Sequence, residues 1–187
     1  IDLCCYEEIG GMADALSEHA DEAFDELPDD RRRLVAERMF KCLTEKGEDN
    51  LEIRRPVELH KLCAVAEASE LEVKAVIETF RQSGRSFLMP PHETALNGDT
   101  LIDISHESLI RVWKQLQRWV NEEAESAAIY RRLAETAELG EARGAELWRG
   151  ADLESALEWH NKVEPTEAWA KRYHPNFAGA MDFLFAS

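Results

Sequence analysis

The sequence predicts a mainly α protein with a small β-wing, a helical extension following it. Three observations carry that expectation. Apolar residues recur three and four apart through most of the chain, the spacing of one helical face. Strand-like stretches are short and few, near residues 52–57, 86–90 and 101–105. After Ser105 no strand signal returns.

Residues 6–27, YEEIGGMADALSEHADEAFDEL, read as helix interrupted or started at Gly10-Gly11, with Leu16, Ala20, Phe24 and Leu27 on its apolar face. Pro28 and Asp29-Asp30 stop this helix and cap the next. Residues 31–45 place Val35, Met39, Cys42 and Leu43 in one stripe, and EKGEDN after them is a polar loop. EIRRPV is a short extended piece, because Pro56 pushes Arg55 towards β geometry. A helix over about 57–66 turns Leu59, Leu62, Cys63 and Ala66 inward. SELE at 69–72 is a capping box, in which Ser69 and Glu72 satisfy each other's free backbone N–H groups. It opens a helix carrying Val73, Val76, Ile77 and Phe80 and ending near Gly84.

SFLMP and LIDIS then read as strands on either side of PHETALNGDT, a polar connection with an Asn97-Gly98 turn signal. Helix, short strand, helix, helix, strand, wing, strand is the order of a winged helix-turn-helix domain, expected over residues 29–110. Residues 106–138 give one long helix or two joined ones, with Leu109, Trp113, Leu116 and Val120 on one face and a break at GEARG. A further helix presents Leu153, Ala156 and Leu157, Pro165-Thr166 caps a short piece, and AGAMDFLFAS closes the chain as an apolar helix.

Composition narrows the function. Thirty-eight acidic residues against 22 basic ones leave a formal charge of −16, and residues 1–28 hold nine of the acids without one Lys or Arg. Such a surface repels phosphate backbones and anionic headgroups at long range. No apolar run approaches the ~20 residues that span a bilayer, and no signal segment opens the chain. The start at Ile1 without Met is expected of an excised fragment. Cys4, Cys5, Cys42 and Cys63 form neither a CxxC pattern nor a disulfide framework. Small buried thiols and a reducing cytoplasm are the expectation.

Independent catalysis finds no support. HESLI begins like a metalloprotease HExxH but has Ile110 where the second ligand belongs, and His92-Glu93 in the wing also lacks a partner. No GxxxxGK[ST] and no GxSxG occurs. The chain is therefore expected not to be an enzyme by itself and to hold no metal. DNA binding is the natural alternative for a winged helix. The groove-reading helix, however, carries Glu70, Glu72 and Glu78 against Lys74 and Arg81, with Gln82 as its one amide. Arg54, Arg55, Arg81 and Arg85 read either as a small basic patch or as balance for neighbouring acids. Trp113, Trp119, Trp148, Trp159 and Trp169 read as core or interhelical anchors, since base-stacking platforms need a basic groove.

His106 has two readings. It is a helix-start residue, with Ser105 as N-cap and Glu107 near the positive end of the dipole. The second, less favoured on the residues alone, is a donor placed where an anion could be met.

Several motifs resemble those of a known family. RRPVELHKL (54–62), ISHESLIRVWKQLQRWV (104–120), LWRGADLESALEW (147–159) and the terminal FLFAS are similar to the region that follows the nucleotide-binding domain in bacterial STAND NTPases. These are signal-transduction ATPases with numerous domains, often followed by a WD-repeat propeller. The class includes the NLR immune receptors, and GGMADAL (10–16) resembles the GLPLAL stretch of their helical lid, with Ala13 in place of its proline. ISHESLI resembles their MHD-type motif, His106 standing at the histidine and Glu107 at the acidic position.

The resemblance implies a layout and a role. Residues 1–28 would be a remnant of the lid, 29–110 the winged helix and 111–187 a helical extension. His106 would contact the β-phosphate of ADP, but only with the ATPase domain present. The isolated chain would need no cofactor, while its parent would use ADP and ATP. The expected function is a non-catalytic regulatory segment of a STAND-type signalling NTPase, coupling nucleotide state to sensor or effector. Expected partners are the intramolecular ATPase domain and a downstream sensor, with nucleic acid and membrane not among them. The alternatives are a winged-helix transcription regulator and an acidic protein-interaction module.

Overall fold

A computed structural model describes residues 3–47, 49, 51–143 and 146–187, with side chains from 14 to 140 and from 146 onward. Two compact units divide the chain, Ile1–Asn121 and Glu122–Ser187.

In the first unit, α1 (Leu3–Asp25) runs through Gly10 and Gly11 without the interruption that the glycine pair signalled. Ala20, Ala23 and Leu27 are buried, and Leu16 and Phe24 half-buried. Helix α2 (Asp30–Cys42) starts where Asp29 accepts the Arg32 N–H, and its stripe of Val35, Met39, Cys42 and Leu43 is fully buried.

The expected loop after α2 is instead half of a hairpin. Strand β1 (Thr44–Lys46) pairs antiparallel with β2 (Glu52–Arg54), Thr44 opposite Arg54. The Thr44 hydroxyl donates to the Phe40 carbonyl at 2.9 Å, and Gly47 N–H donates to Leu51 O across the turn at 2.9 Å. Strand β3 (Val57–Glu58) then leads into α3 (Leu59–Ala66). Among the described residues no side chain caps α3. Its first free N–H groups, Leu59 and His60, donate to Thr100 O and Gly98 O of the wing loop, both at 2.9 Å.

Helix α4 (Glu70–Arg81) opens on the full Ser69–Glu72 capping box and buries Val73, Val76, Ile77 and Phe80. Gly84, at φ +93°, allows the sharp exit into β4 (Leu88–Met89). Strand β5 (Leu101–Ile104) returns after the wing, where the Asn97 side chain accepts the Asp99 N–H at 3.0 Å in an Asx turn. The sheet order is β3-β5-β4, all antiparallel, with Val57 opposite Ile102 and Leu88 opposite Ile104. Strand β3, between α2 and α3, joined to the β4–β5 hairpin, gives the unit its winged-helix-like form.

After β5 come two joined helices, α5 (Glu107–Val112) and α6 (Lys114–Arg143). They part at Trp113, whose backbone is extended at φ −75°, ψ 101° while its side chain is fully buried. The break frees the Arg111 carbonyl, and the Gln117 side-chain amide donates to it. Phe40 centres the core, edge-on to Phe80 at 4.8 Å and to Trp113 at 5.0 Å, and Trp119 packs on both Trp113 and Phe24 at 5.4 Å.

In the second unit α6 continues through Gly140, three residues past the expected break. Helix α7 (Ala151–Val163) buries Ala156 and Trp159 and leaves Leu153 and Leu157 half-buried. Helix α8 (Glu167–Ala170) is capped by Thr166, whose hydroxyl accepts the Trp169 N–H at 3.2 Å. Helix α9 (Phe177–Ala186) buries Ala180, Met181 and Leu184.

Four aromatic rings and one carboxylate hold this unit. Tyr130 and Trp159 stack at 6.4 Å and Tyr130 meets Trp169 edge-on at 5.5 Å. Glu123 Oε1 accepts from Trp169 Nε1 at 2.8 Å, Arg172 Nη1 at 2.9 Å and the Tyr173 hydroxyl at 2.6 Å. Of the sequence-level anchors, Trp113, Trp119, Trp159 and Trp169 are buried, while Trp148 is half-buried between Phe183 and the Arg132 guanidinium.

Candidate functional site

The junction between β5 and α5 is built from strand outward. Leu88 lies opposite Ile104, and the next N–H, that of Ser105, donates to Phe87 O at 3.0 Å. This bond carries the β4–β5 ladder one step further and keeps the backbone extended through His106, at φ −139°, ψ 133°. The N-cap position therefore falls on His106, one residue later than the Ser105 expected from its hydroxyl. The His106 carbonyl accepts the Leu109 N–H at 3.0 Å and starts the helix, while its side chain makes no capping bond.

The imidazole itself is exposed and has no hydrogen-bond or ion-pair partner among the described residues. Glu107 does not occupy the cap. Its carboxylate lies along the helix beside Arg111, 3.4 Å from Nη2 at the i,i+4 spacing. Leu109 and Ile110 anchor the turn in the core beneath it. The ring is thus held on a rigid strand end and presented outward with both nitrogens available.

Arg54 completes the junction, and its part was not legible in the sequence. From β2 its Nη1 donates to Asp103 Oδ2 and to the Ile104 carbonyl, both at 3.0 Å. The contacts bridge 49 and 50 positions of sequence, so only the hairpin that EKGEDN concealed could have revealed them. Ala13, the lid position, lies outside the described side chains, as do Cys4 and Cys5.

The other sequence-level candidates are brought together with acids. Lys74 pairs with Glu70 at 2.6 Å on α4, and Arg85 with Glu26. Arg55 lies 3.8 Å from Glu45. Arg81 is buried, with Nε donating to Glu78 at 3.0 Å and Nη1 to the Pro90 and Pro91 carbonyls at 3.2 and 3.0 Å. His92 Nδ1 sits 2.9 Å from Glu78. Burial raises the Glu78 pKa, but Arg81 and His92 outweigh it and leave the carboxyl below its ordinary value.

Cys42 is buried, and Cys63 is half-buried rather than fully inward; burial pushes the Cys63 thiol up and disfavours its reactive thiolate form. Among the described residues no group of three or more His, Cys, Asp or Glu could hold a metal ion. No described helix is long and apolar enough to cross a membrane.

The family model described as Novel STAND NTPase 1 matches residues 1–146. No curated protein and no solved structure matches the chain.

Proposed function

The chain belongs to the novel STAND NTPase 1 family, and from that premise we propose that it is a non-catalytic regulatory segment of a signalling NTPase. In this reading it couples the nucleotide state of an adjacent ATPase domain to sensor or effector domains. The observation that carries it is His106, an exposed imidazole without a partner among the described residues, at a strand end where the MHD-type likeness falls.

The residues present fit one contact to a diphosphate and no more. An imidazole N–H is a good donor to a phosphate oxygen, and Glu107, the nearest carboxylate in sequence, is drawn towards Arg111. The 187 residues contain no phosphate-cradling GxxxxGK[ST] loop, so the remainder of a nucleotide pocket has to come from the ATPase domain. The bound nucleotide supplies the phosphates; this chain supplies a donor held in place by its own sheet. Made in only one state, a hydrogen bond to a charged group contributes about 1.5–3 kcal/mol. It then shifts the open–closed equilibrium about 10- to 150-fold.

The arginines offer little support to the DNA-binding alternative. Lys74 and Arg81 on the groove-reading helix are engaged with Glu70 and Glu78, and the chain's charge is −16. A plain acidic docking module differs from a switch in one respect: its binding is indifferent to nucleotide. Calorimetry of this chain against the parent's purified ATPase domain separates the two. The switch reading expects at least about fivefold tighter binding with ADP than with ATP, the lower end of ordinary allosteric coupling. Equal affinities would leave only the docking module.

A further inference from the structure

Resting on the reading of His106 as the phosphate contact, we infer that Arg54 is the residue that positions it. The junction bearing the imidazole is a bare strand end. Beyond Ile104 the backbone leaves the sheet, and Ser105 is its last residue held by a ladder-type bond, to Phe87 O. The Ile104–Ser105 peptide is planar, so that bond already holds it by its N–H edge; without a second bond its carbonyl edge could still rock about the first, tilting the next peptides and the ring with it.

Arg54 closes that freedom from the other side. Its Nη1 is shared between the Ile104 carbonyl and Asp103 Oδ2, at 3.0 Å each. Asp103 fixes the guanidinium, and the guanidinium fixes the carbonyl two residues before His106. The anchor behind it is firm. Arg54 lies opposite Thr44 in the β1–β2 hairpin, and the next residue's N–H, that of Arg55, donates to Leu43 O at 2.8 Å. Leu43 is itself fully buried in the α2 stripe. A chain of bonds therefore runs from the core, through the hairpin, to the backbone under the imidazole. Lysine in place of Arg54 has a compact ammonium on a more flexible stem and reproduces this geometry only in part.

A double-mutant cycle in the full-length parent tests the inference, reading the rate of ADP release. Arg54→Ala is expected to accelerate release about 2- to 10-fold, the effect of one ordinary hydrogen bond, and Arg54→Lys to recover part of the loss. In the His106→Ala background Arg54→Ala should add nothing, because there is no ring left to position. In the 187-residue chain the same substitution should speed amide exchange at Ser105 while the Val73–Phe80 amides of α4 keep their protection. Additive effects, or an unchanged rate for Arg54→Ala beside an accelerated one for His106→Ala, would overturn the positioning role and leave the phosphate contact standing. An unchanged rate for His106→Ala itself would remove the contact on which the inference rests. Should Arg54→Ala not fold, the Arg54→Lys arm of the same cycle decides, since it keeps the charge and a donating ammonium but loses the planar fork.

Discussion

The indole N–H of Trp113 donates to the Asp21 carboxylate at 2.7 Å, joining α1 to the break between α5 and α6 across 92 positions of sequence. Trp113 is fully buried, so its N–H has no recourse to water. Asp21→Ala leaves that donor unpaired, at a cost of about 1–3 kcal/mol. Urea unfolding followed by tryptophan fluorescence checks it. A midpoint indistinguishable from wild type would show that α1 is held by packing alone.

Glu72 predicts how the first unit responds to acid. The Ser69 backbone N–H and hydroxyl, with the Arg31 guanidinium beside them, hold its carboxyl down to about 2, from an ordinary 4.5. A value depressed in the folded state means that folding favours the ionised form. The contribution is complete above pH 4.5 and is lost as pH falls towards 2. Glu26, held down by Arg85, and Asp29, held down by the Arg32 N–H, lose theirs in the same direction. Glu72→Gln should flatten the fall in thermal midpoint across that window. The same slope in wild type and variant would contradict the assignment.

The Glu123 carboxylate predicts a large effect in the second unit. It and Arg172 are nearly buried, at 10% and 8% side-chain exposure. Removing the carboxylate takes away the acceptor shared by Trp169 Nε1, Arg172 Nη1 and the Tyr173 hydroxyl, and breaking a nearly buried pair costs about 3–5 kcal/mol. Glu123→Leu should lower the unfolding free energy by that order, read from denaturation with Trp159 and Trp169 as reporters. A loss below about 1 kcal/mol, the range of an exposed pair, would show that the site is effectively wet.

How much of this was legible beforehand depends on how local each signal is. The capping box at Ser69, the Asp29 cap and the apolar stripes of α2 and α4 each lie within a few residues, and all stand in the structure as read. The three extended stretches near 52–57, 86–90 and 101–105 were read along the chain, but their order in the sheet, β3-β5-β4, was not. The β1–β2 hairpin escaped because three-residue strands show no alternation to count, and a charged TEK run has weak strand character. Gly10-Gly11 and Gly140 misled because a helix bears an isolated glycine at a cost of only about 1 kcal/mol. At the candidate site the motif singled out His106 as the residue to look at. Arg54 there, and Glu123 in the second unit, gave no such signal, because their partners lie some 50 positions away and only the fold brings them together.

The most direct measurement is the rate at which ADP leaves the full-length parent protein, compared between wild type and His106→Ala. A lost charge-assisted hydrogen bond predicts release faster by about 10- to 150-fold, with basal signalling raised alongside it. An identical release rate in a folded variant would mean that the imidazole at the end of β5 touches no nucleotide.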